Sequence, residues 1–360
     1  MASLALQLPD VCPSPIPLLR KGQEHTLTMS QRQIACLLAN AFFCTFPHRN
    51  ATNPSSEYSN YPDINFSRLF EDVSEQKHQK LRTIFWYFTS LYTTMPTGLV
   101  TFQRRCMKSE INWKVSRAKF TALHVTCEGK IEEQGAGMLQ VDFASSKVGG
   151  GVLGSGLVQE EIRFLINTEL IVARLFTEKL MDKECLIITG AQQYSRYSGY
   201  SDTFRWEGPH IDVTPRDEWQ RLCTEIVAID ALKFNDYEDQ FKGFVLDREL
   251  MKAFCGFRVD PSQVSTAVAT GNWGCGAFKG NAKFKALIQL MAAAEARRDV
   301  MYFTLGDKHL MKDLYHIHLF LKKQNFTVGK LFSLIEKFCQ SVKSRHSTEH
   351  LYDYIYHAKL

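Results

Sequence analysis

The sequence predicts an α/β fold, a mixed sheet flanked by helices, with an N-terminal accessory helical region. Three observations support this prediction. Short apolar or alternating segments recur after residue 113, helical patterns lie between or after them, and glycine-rich turns follow several of them. Strands that alternate with helices are typical of largely parallel sheets, and such folds bind ligands beyond the carboxyl ends of their strands. Functional residues are therefore expected in the turns.

The first part of the chain has the pattern of packing helices. Ser30 and Gln33 have the spacing of a capping box, and apolar residues follow at helical spacing until Pro47. Ser74 is predicted to begin a second helix with one apolar face. The Asn/Ser/Pro-rich residues 50–63 between the two helices are predicted to form a loop.

The pattern changes near residue 113, which predicts an accessory helical region at 1–112 and an α/β domain at 113–360. The predicted strands of that domain lie at 120–127, 139–143, 185–190, 226–232, 265–271 and 300–306. Its predicted helices lie at 158–181, 215–224, 281–298, 307–323 and 327–344. Each of these segments is short enough for one strand or one helix of an ordinary domain.

Composition limits the class of protein. A chain of 360 residues with 45% hydrophobic content has room for one large domain or two ordinary ones. A net charge of +5 is compatible with a polyanionic ligand but small for a dedicated nucleic-acid binder, so no direct DNA binding is expected. Ten cysteines without a CxxC pair or zinc-ligand spacing predict neither disulfides nor a metal site, and they favour a reducing compartment.

No targeting or membrane segment is expected. Asp10 and four prolines interrupt the apolar residues of the N-terminus. The N-terminus therefore lacks the continuous apolar segment of a secretory signal peptide. No stretch has the length of about 18 apolar residues that a membrane span needs. A protein of the cytoplasm, the nucleus or both is therefore expected.

The stretch DFASSKVGGGVLGSGLVQEEIRF, residues 142–164, places two acids after a glycine-rich turn. Glycines allow the backbone to turn tightly and approach a ligand closely. Glu160 and Glu161 are predicted to open a helix, where they would point about 100° apart and serve different groups of one ligand. Such carboxylates suit proton transfer or binding of sugar hydroxyls. The alternative, that acids favour a first turn through the helix dipole alone, remains open on these residues.

Two further turns resemble ligand-binding loops. Residues 270–287 contain four glycines within ten residues after an apolar strand, which could present backbone N–H groups to a diphosphate. Lys279, Lys283 and Lys285 would suit phosphate, although a solvated helix face explains them equally well. Residues 189–206 contain closely spaced tyrosines, which could stack on a base or ribose or simply pack.

The arrangement of GGG, seven residues and QEE resembles the signature of the poly(ADP-ribose) glycohydrolases, which have a macrodomain fold. The resemblance extends through GMLQVDFA, YSGYSDTFRW, TEIVAIDAL, ATGNWGCGAF and RRDVMYFTLGD and covers nearly the whole chain. It implies hydrolysis of ribose–ribose O-glycosidic bonds in poly(ADP-ribose) on modified proteins, with release of ADP-ribose and without a cofactor. It further implies a monomer that acts in the DNA damage response.

The resemblance also implies roles for individual residues. Glu161 would be the general acid and then the general base, Glu160 would hold ribose hydroxyls, and Asp142 would help to fix the catalytic loop. The residues implied to bind substrate are Ile131, Glu132 and Gln159 at the adenine, Ser145 near the ribose, Asn272, Trp273, Gly274, Cys275, Gly276 and Ala277 at the diphosphate, Phe278 as the aromatic that adjoins the diphosphate loop, and Tyr200 as a tyrosine that closes over the ligand.

Three departures from the family pattern favour an alternative function. Ser145 stands where the family usually has asparagine, and Leu305 stands where an aromatic residue is expected. The accessory helical region is also expected to be truncated relative to the family. The alternative is a catalytically impaired protein that binds ADP-ribose or its polymer. Because Asp142, Glu160 and Glu161 are all present, the sequence favours the enzyme.

Overall fold

The structure, a computed structural model, describes residues 1–49, 53–260, 264–343 and 350–358. Residues 50–52 of the predicted loop and residue 344 of the last predicted helix lie outside the described residues. The strands are β1 (His25–Ser30), β2 (Leu99–Cys106), β3 (Leu123–Thr126), β4 (Leu139–Ala144), β5 (Glu184–Thr189), β6 (Ser195–Ser198), β7 (Arg205–Pro209), β8 (Glu225–Asp230), β9 (Val268–Gly271) and β10 (Val300–Phe303). The α-helices are α1 (Ala2–Ala5), α2 (Leu8–Val11), α3 (Gln31–Phe42), α4 (Glu75–Thr93), α5 (Ile131–Gln134), α6 (Gln159–Ile166), α7 (Ala173–Phe176), α8 (Gly243–Phe257), α9 (Ala282–Glu295), α10 (Lys308–Lys323), α11 (Val328–Lys343) and α12 (Leu351–His357).

The chain divides into two compact units. The first unit comprises Met1–Arg105, Ala144–Met181 and Leu186–Ala228, and the second comprises Cys106–Phe143, Asp182–Cys185 and Ile229–Leu360. Both units are built from segments that are distant in the chain. The boundary predicted between residues 112 and 113 stays a prediction.

A mixed, eight-stranded sheet with flanking helices confirms the predicted fold class. In the first unit the strand order is β1–β2–β5–β8, with antiparallel β1/β2 and β5/β8 pairs. In the second unit the order is β4–β9–β10–β3, and the β4/β9, β9/β10 and β10/β3 pairs are parallel. The six predicted strands all form. The parallel pairing that the sequence predicts for most of the sheet is found in the second unit.

Helices α3 and α4 begin where the sequence predicts. The Ser30 hydroxyl accepts the Gln33 N–H at 3.1 Å, and the Gln33 side chain accepts the Ser30 N–H at 3.0 Å, which completes the capping box. The Ser74 hydroxyl accepts the Lys77 N–H at 3.2 Å at the start of α4. Both helices pack on the apolar core of the first unit, where a fully buried aliphatic or aromatic side chain contributes about 1.5–3 kcal/mol over an exposed one.

Two predicted helices are wrong in part or in full. Residues 158–181 do not form one helix, because Asn167 leaves helical geometry at φ −106° and ψ 68° and separates α6 from a 3₁₀ turn and α7. Residues 215–224 form a turn, in which the Asp217 carboxylate accepts the N–H groups of Trp219 and Arg221 at 2.9 Å each. Aspartate competes with helical hydrogen bonding in this way.

The second unit places several strand ends and their turns at one edge. Parallel strands have their carboxyl ends on the same side of a sheet, so the turns after β9, β10 and β3 belong to one edge. Helix α8, which the sequence did not predict, packs on α9. Among the helices of the described ranges, none combines the length and apolar character that crossing a bilayer requires.

Candidate active site

Two buried carboxylates occupy the first turn of α6 in the first unit. Glu161 Oε1 accepts the Gly151 N–H and its Oε2 accepts the Val158 N–H, both at 2.8 Å. Glu161 is 5% exposed and Glu160 2% exposed. Hydrogen-bonded carboxylates of such low exposure are costly to bury without a function or a strong structural need.

Both acids bind the glycine-rich turn between β4 and α6, called the glycine loop below. Glu160 binds a different part of it from Glu161. Its Oε1 accepts the Gly149 N–H at 2.6 Å, and its Oε2 accepts the Ser145 N–H at 2.8 Å. The prediction that the two acids open a helix is therefore confirmed, whereas the prediction that they serve different groups of one ligand stays a prediction. The contribution of Ser145 comes from its backbone, so its side chain is not needed for this contact.

Gly150 shows why the loop needs glycine. Its φ is +44°, and a Cβ atom there would lie 2.7 Å from Glu160 Oε2 and closer still to Glu161 Oε1. Real Cβ atoms do not come this close to oxygen, and side chains other than glycine rarely adopt this φ. The glycine allows both carboxylates to approach the backbone.

Lys80 of α4 binds backbone carbonyl groups of the glycine loop, whereas the two acids bind its N–H groups. Its ammonium donates to the carbonyl oxygens of Gly151 and Val152 at 3.2 Å each, Gly154 at 2.8 Å, and Gly156. Burial lowers the pKa of Lys80 to about 8, although the charge of Glu161 opposes that change.

Arg174 of α7 binds carbonyl oxygens of the same loop. Its Nη1 donates to Val148 at 3.0 Å and to Gly150 at 2.9 Å, and its Nε donates to the Asp63 carbonyl at 2.7 Å. Burial lowers the pKa of Arg174 to about 10, and the Glu160 carboxylate opposes that change. At neutral pH the guanidinium is charged.

Sequence reasoning missed both cations. Lys80 lies on the buried face of α4, together with Thr83, Ile84 and Tyr87. A lysine at an apolar helical position was the available signal. Arg174 stands alone in the apolar run LIVARLF, which is a similar signal.

The predicted substrate residues Tyr200 and Gln159 lie together in the first unit. Tyr200 follows β6 and is 49% exposed, and the next residue, Ser201, donates its N–H to the Leu157 carbonyl at 3.0 Å. Partial burial raises the pKa of the Tyr200 hydroxyl, and a hydrogen bond from the Gln159 backbone opposes this. The tyrosine is therefore a neutral, half-exposed ring beside the helix that carries the two acids.

Helix α4 also holds the β6/β7 hairpin. The Gln79 side chain accepts the Trp206 N–H at 3.0 Å, and the Gln76 side chain donates to the Asp202 carbonyl at 3.3 Å. The Trp86 indole donates to the Tyr194 carbonyl at 3.0 Å. One helix thus supports two segments that contain candidate site residues.

In the second unit, the turn after β9 is the predicted diphosphate loop. The Asn272 amide accepts the Tyr302 hydroxyl at 3.1 Å and donates to the Thr304 carbonyl at 3.3 Å. Gly274 has φ +74°, and a Cβ atom there would lie 2.6 Å from the Ala231 Cβ. At Gly276 a Cβ atom would meet no atom within 4 Å. Gly274 is therefore required by the fold, whereas the fold leaves space at Gly276.

Trp273 anchors this loop from within. Its side chain is fully buried and donates to the Ile229 carbonyl at 2.9 Å. Lys285 Nζ lies 3.5 Å from the Trp273 ring centroid and 2.5 Å from Glu249 Oε2. Lys285 is thus neither a solvated residue nor an exposed phosphate ligand.

Burial raises the pKa of Cys275 to about 12, which makes a thiolate nucleophile unfavourable.

The remaining predicted residues of the second unit lie in β4, in α5 and in the turns after β9 and β10. Asp142 is fully buried near the end of β4. Ile131, in α5 after β3, is buried against Ala269 and Phe303, and Glu132 beside it is half-buried. Phe278 is half-buried, and its carbonyl accepts the Phe234 N–H at 3.1 Å. Ala277 is exposed, and Leu305 after β10 is 55% exposed with φ +54°.

The fold and the site define a class first: an α/β protein whose glycine-rich loop holds two buried carboxylates, the groups that a glycosidase uses. The family model described as "Poly (ADP-ribose) glycohydrolase (PARG), Macro domain fold" matches residues 110–312, and the model of the PARG helical domain matches residues 1–104. The chain belongs to the poly(ADP-ribose) glycohydrolase family, whose members are glycosidases.

Named relatives agree with this membership. Poly(ADP-ribose) glycohydrolase 1 of Arabidopsis thaliana is 33% identical over an alignment of 392 residues. The alignment covers 88% of this chain and 70% of the relative. Poly(ADP-ribose) glycohydrolase 1 of Caenorhabditis elegans is 32% identical over 354 residues, covering 93% of this chain and 43% of the relative. A crystal structure of the Deinococcus radiodurans glycohydrolase in complex with ADP-ribose is 16% identical, covers 58% of this chain and 87% of its own, and has a TM-score of 0.31.

Proposed function

We propose that this protein hydrolyses ribose–ribose O-glycosidic bonds in poly(ADP-ribose), releases ADP-ribose, and uses Glu161 as general acid and then general base. The observation that supports this most strongly is the placement of Glu161. Its buried carboxylate is fixed by one backbone N–H on each oxygen, from Gly151 and Val158. Fixed geometry is what proton transfer requires of a general acid.

The proposed reaction has two proton transfers. Departure of the glycosidic oxygen builds positive charge on the anomeric carbon, and protonated Glu161 donates its proton to that oxygen, which leaves as a ribose hydroxyl. Deprotonated Glu161 then accepts a proton from water as the water attacks the oxocarbenium-like ribosyl group. Glu161 returns to its protonated form, and the product is ADP-ribose.

Glu160 is proposed to hold ribose hydroxyls beside the scissile bond. Its two oxygens accept the N–H groups of Gly149 and Ser145, and a carboxylate oxygen can accept more than one hydrogen bond, so a ribose hydroxyl can also donate to it. The negative charge of Glu160 would also stabilise the developing positive charge on the sugar. Asp142 is proposed to support this geometry, since it lies three residues before Ser145, whose N–H binds Glu160.

The other contacts are proposals that follow the family pattern. Backbone N–H groups of residues 272–277 would bind the diphosphate, and Phe278 and Tyr200 would contact the ligand through their rings. Ile131, Glu132 and Gln159 would hold the adenine. The monomeric state, the absence of DNA binding and the cytoplasmic or nuclear location stay predictions.

Replacement of Glu161 by glutamine tests the function. Glu161→Gln keeps the size of the side chain but removes the transferable proton, so ADP-ribose release from polymer should fall by about 10²–10⁴-fold while calorimetry shows retained ADP-ribose binding. Glu133→Gln, at an exposed acid of α5, is the matched control and should stay near wild type. Hydrolysis by Glu161→Gln at the wild-type rate would contradict the assignment. Wild-type protein that binds ADP-ribose but releases none from polymer would instead be the impaired binding protein.

A further inference from the structure

A buried guanidinium lies on the carbonyl side of the glycine loop and has no part in the proton transfers. Arg174 is 5% exposed, and one of its nitrogens, Nη1, donates to two carbonyl oxygens of the loop, those of Val148 and Gly150. Its Nε donates to the Asp63 carbonyl at 2.7 Å, which anchors the guanidinium independently of the loop.

The first of these carbonyls belongs to a peptide group that also holds Glu160. A peptide group joins the C=O of one residue and the N–H of the next in one plane. The Val148 carbonyl accepts Arg174 at 3.0 Å, and the Gly149 N–H of the same plane donates to Glu160 Oε1 at 2.6 Å. The guanidinium and the carboxylate thus bind opposite ends of one planar group.

The second carbonyl has the same relation to Glu161. The Gly150 carbonyl accepts Arg174 at 2.9 Å, and the Gly151 N–H of the same peptide group donates to Glu161 Oε1 at 2.8 Å. One nitrogen of Arg174 is therefore linked to both carboxylates through two planar peptide groups. Hydrogen bonds in such chains polarise and strengthen one another.

We propose that Arg174 is a positioning residue for the glycosidase reaction: it fixes the direction of two peptide groups whose N–H groups hold Glu160 and Glu161. This inference rests on the proposed function. Glycines at 149, 150 and 151 leave the backbone many alternative orientations, since they lack a Cβ atom. A cation on both carbonyls selects the orientation that directs the N–H groups toward the acids, without itself contacting the substrate.

Arg174→Met tests the inference, with Arg49→Met as the matched control. Arg49 also donates to carbonyl oxygens, those of Pro62 at 2.7 Å, Arg174 at 2.9 Å, and Leu175, and it lies over the rings of Tyr58 and Tyr61. It supports the same chain segment, and none of these three carbonyls belongs to the glycine loop. The measurements are kcat and KM on polymer, the Kd for ADP-ribose, and NMR-detected hydrogen exchange of the Gly149 and Gly151 amides.

For Arg174→Met we expect kcat to fall by about 10- to 100-fold, because small displacements of reacting groups have effects of this size. The Kd for ADP-ribose should stay within about threefold, and the two amides should exchange at least about tenfold faster. Arg49→Met should change neither kcat nor these two exchange rates. Wild-type kcat and exchange in folded Arg174→Met would overturn the inference, as would equal effects in Arg49→Met.

Arg174→Lys is the second variant, for use if Arg174→Met does not fold. It keeps the charge but cannot bind Asp63 and both loop carbonyls in the same planar geometry. Faster exchange at the two amides with at least about threefold lower kcat is expected, and wild-type values for both would overturn the inference. If the wild-type protein releases no ADP-ribose from polymer, the proposed function fails. The exchange comparison then decides the inference alone, and unchanged exchange would overturn it.

Discussion

Individual glycines in the two loops have different reasons for being glycine. Gly150 allows two carboxylates to approach the backbone, and Gly274 avoids Ala231 in a left-handed conformation. Gly276 has neither constraint, because its φ is not in the left-handed region and the surrounding space is open. A glycine that the fold does not require is a candidate for close approach of a ligand.

Gly276→Val should therefore weaken ADP-ribose binding without unfolding the protein. The branched side chain would occupy the space proposed for the diphosphate, so we expect Kd to rise by at least about tenfold, a change of 1.4 kcal/mol. Lys279→Ala, at an exposed residue of the same loop, should change Kd less. Calorimetry of both variants measures this, and an equal loss in the two would favour simple charge attraction.

The backbone N–H of Ser145 binds Glu160, so the side chain at this position, where the resemblance implies asparagine in the family, can change without loss of that contact. Ser145→Asn would add an amide that can hydrogen-bond the ribose. One such contact is worth on the order of 1 kcal/mol, so kcat/KM should rise by roughly fivefold. Steady-state release of ADP-ribose measures the change. A fall in kcat/KM would show that the loop is adapted to serine.

Helix α3 is joined to the rest of the first unit through a buried acid. Glu169 accepts the Gln31 amide at 2.8 Å, the Tyr194 hydroxyl at 2.6 Å and the Gln192 N–H at 2.8 Å. Burial raises the pKa of Glu169 to about 7, although these three hydrogen bonds oppose the change. The acid is thus protonated more readily in the folded protein than in the unfolded chain.

The free energy of unfolding should consequently fall as pH rises. Between about pH 4.5 and about pH 7 the folded protein holds a proton on Glu169 that the unfolded chain has lost. The stabilisation from this proton therefore decreases as pH rises through this range, and it is lost above about pH 7. A shift of this size corresponds to on the order of 3 kcal/mol. Glu169→Gln removes the titration, so the stability of wild type relative to the variant should decline from pH 5 to pH 8 in urea unfolding. A difference that is constant with pH would refute this reading.

Across the described residues, local patterns predicted local structure well. The capping box at Ser30, the six strands and the opening of α6 by two acids follow from short-range spacing, and the structure confirms them. Strands β1 and β2 were missed because polar residues interrupt the apolar ones in HTLTMS and LVTFQRRC. Arg104 in β2 is fully buried and binds the carbonyls of Leu19, Glu178 and Lys179, which its polar character conceals in the sequence.

The partners of the two buried cations at the candidate site could not be predicted from the sequence, although each cation stands out in an apolar stretch. Lys80 and Arg174 bind backbone carbonyls of the glycine loop, and every residue of a chain offers such a carbonyl. No residue type or spacing marks those partners. The acids themselves were predictable because glycines and carboxylates are visible as side-chain choices.

The most direct test of the central claim, that Glu161 protonates the departing oxygen, varies the leaving group. ADP-ribose with 4-nitrophenolate on its anomeric carbon needs no proton for departure, whereas a ribose oxygen does. For Glu161→Gln, kcat/KM should fall by about 10²–10⁴-fold on polymer, where both proton transfers are lost, and by a clearly smaller factor on the nitrophenyl substrate, where only the proton transfer from water is lost. An equally large loss on both substrates would contradict the assignment of Glu161 as general acid.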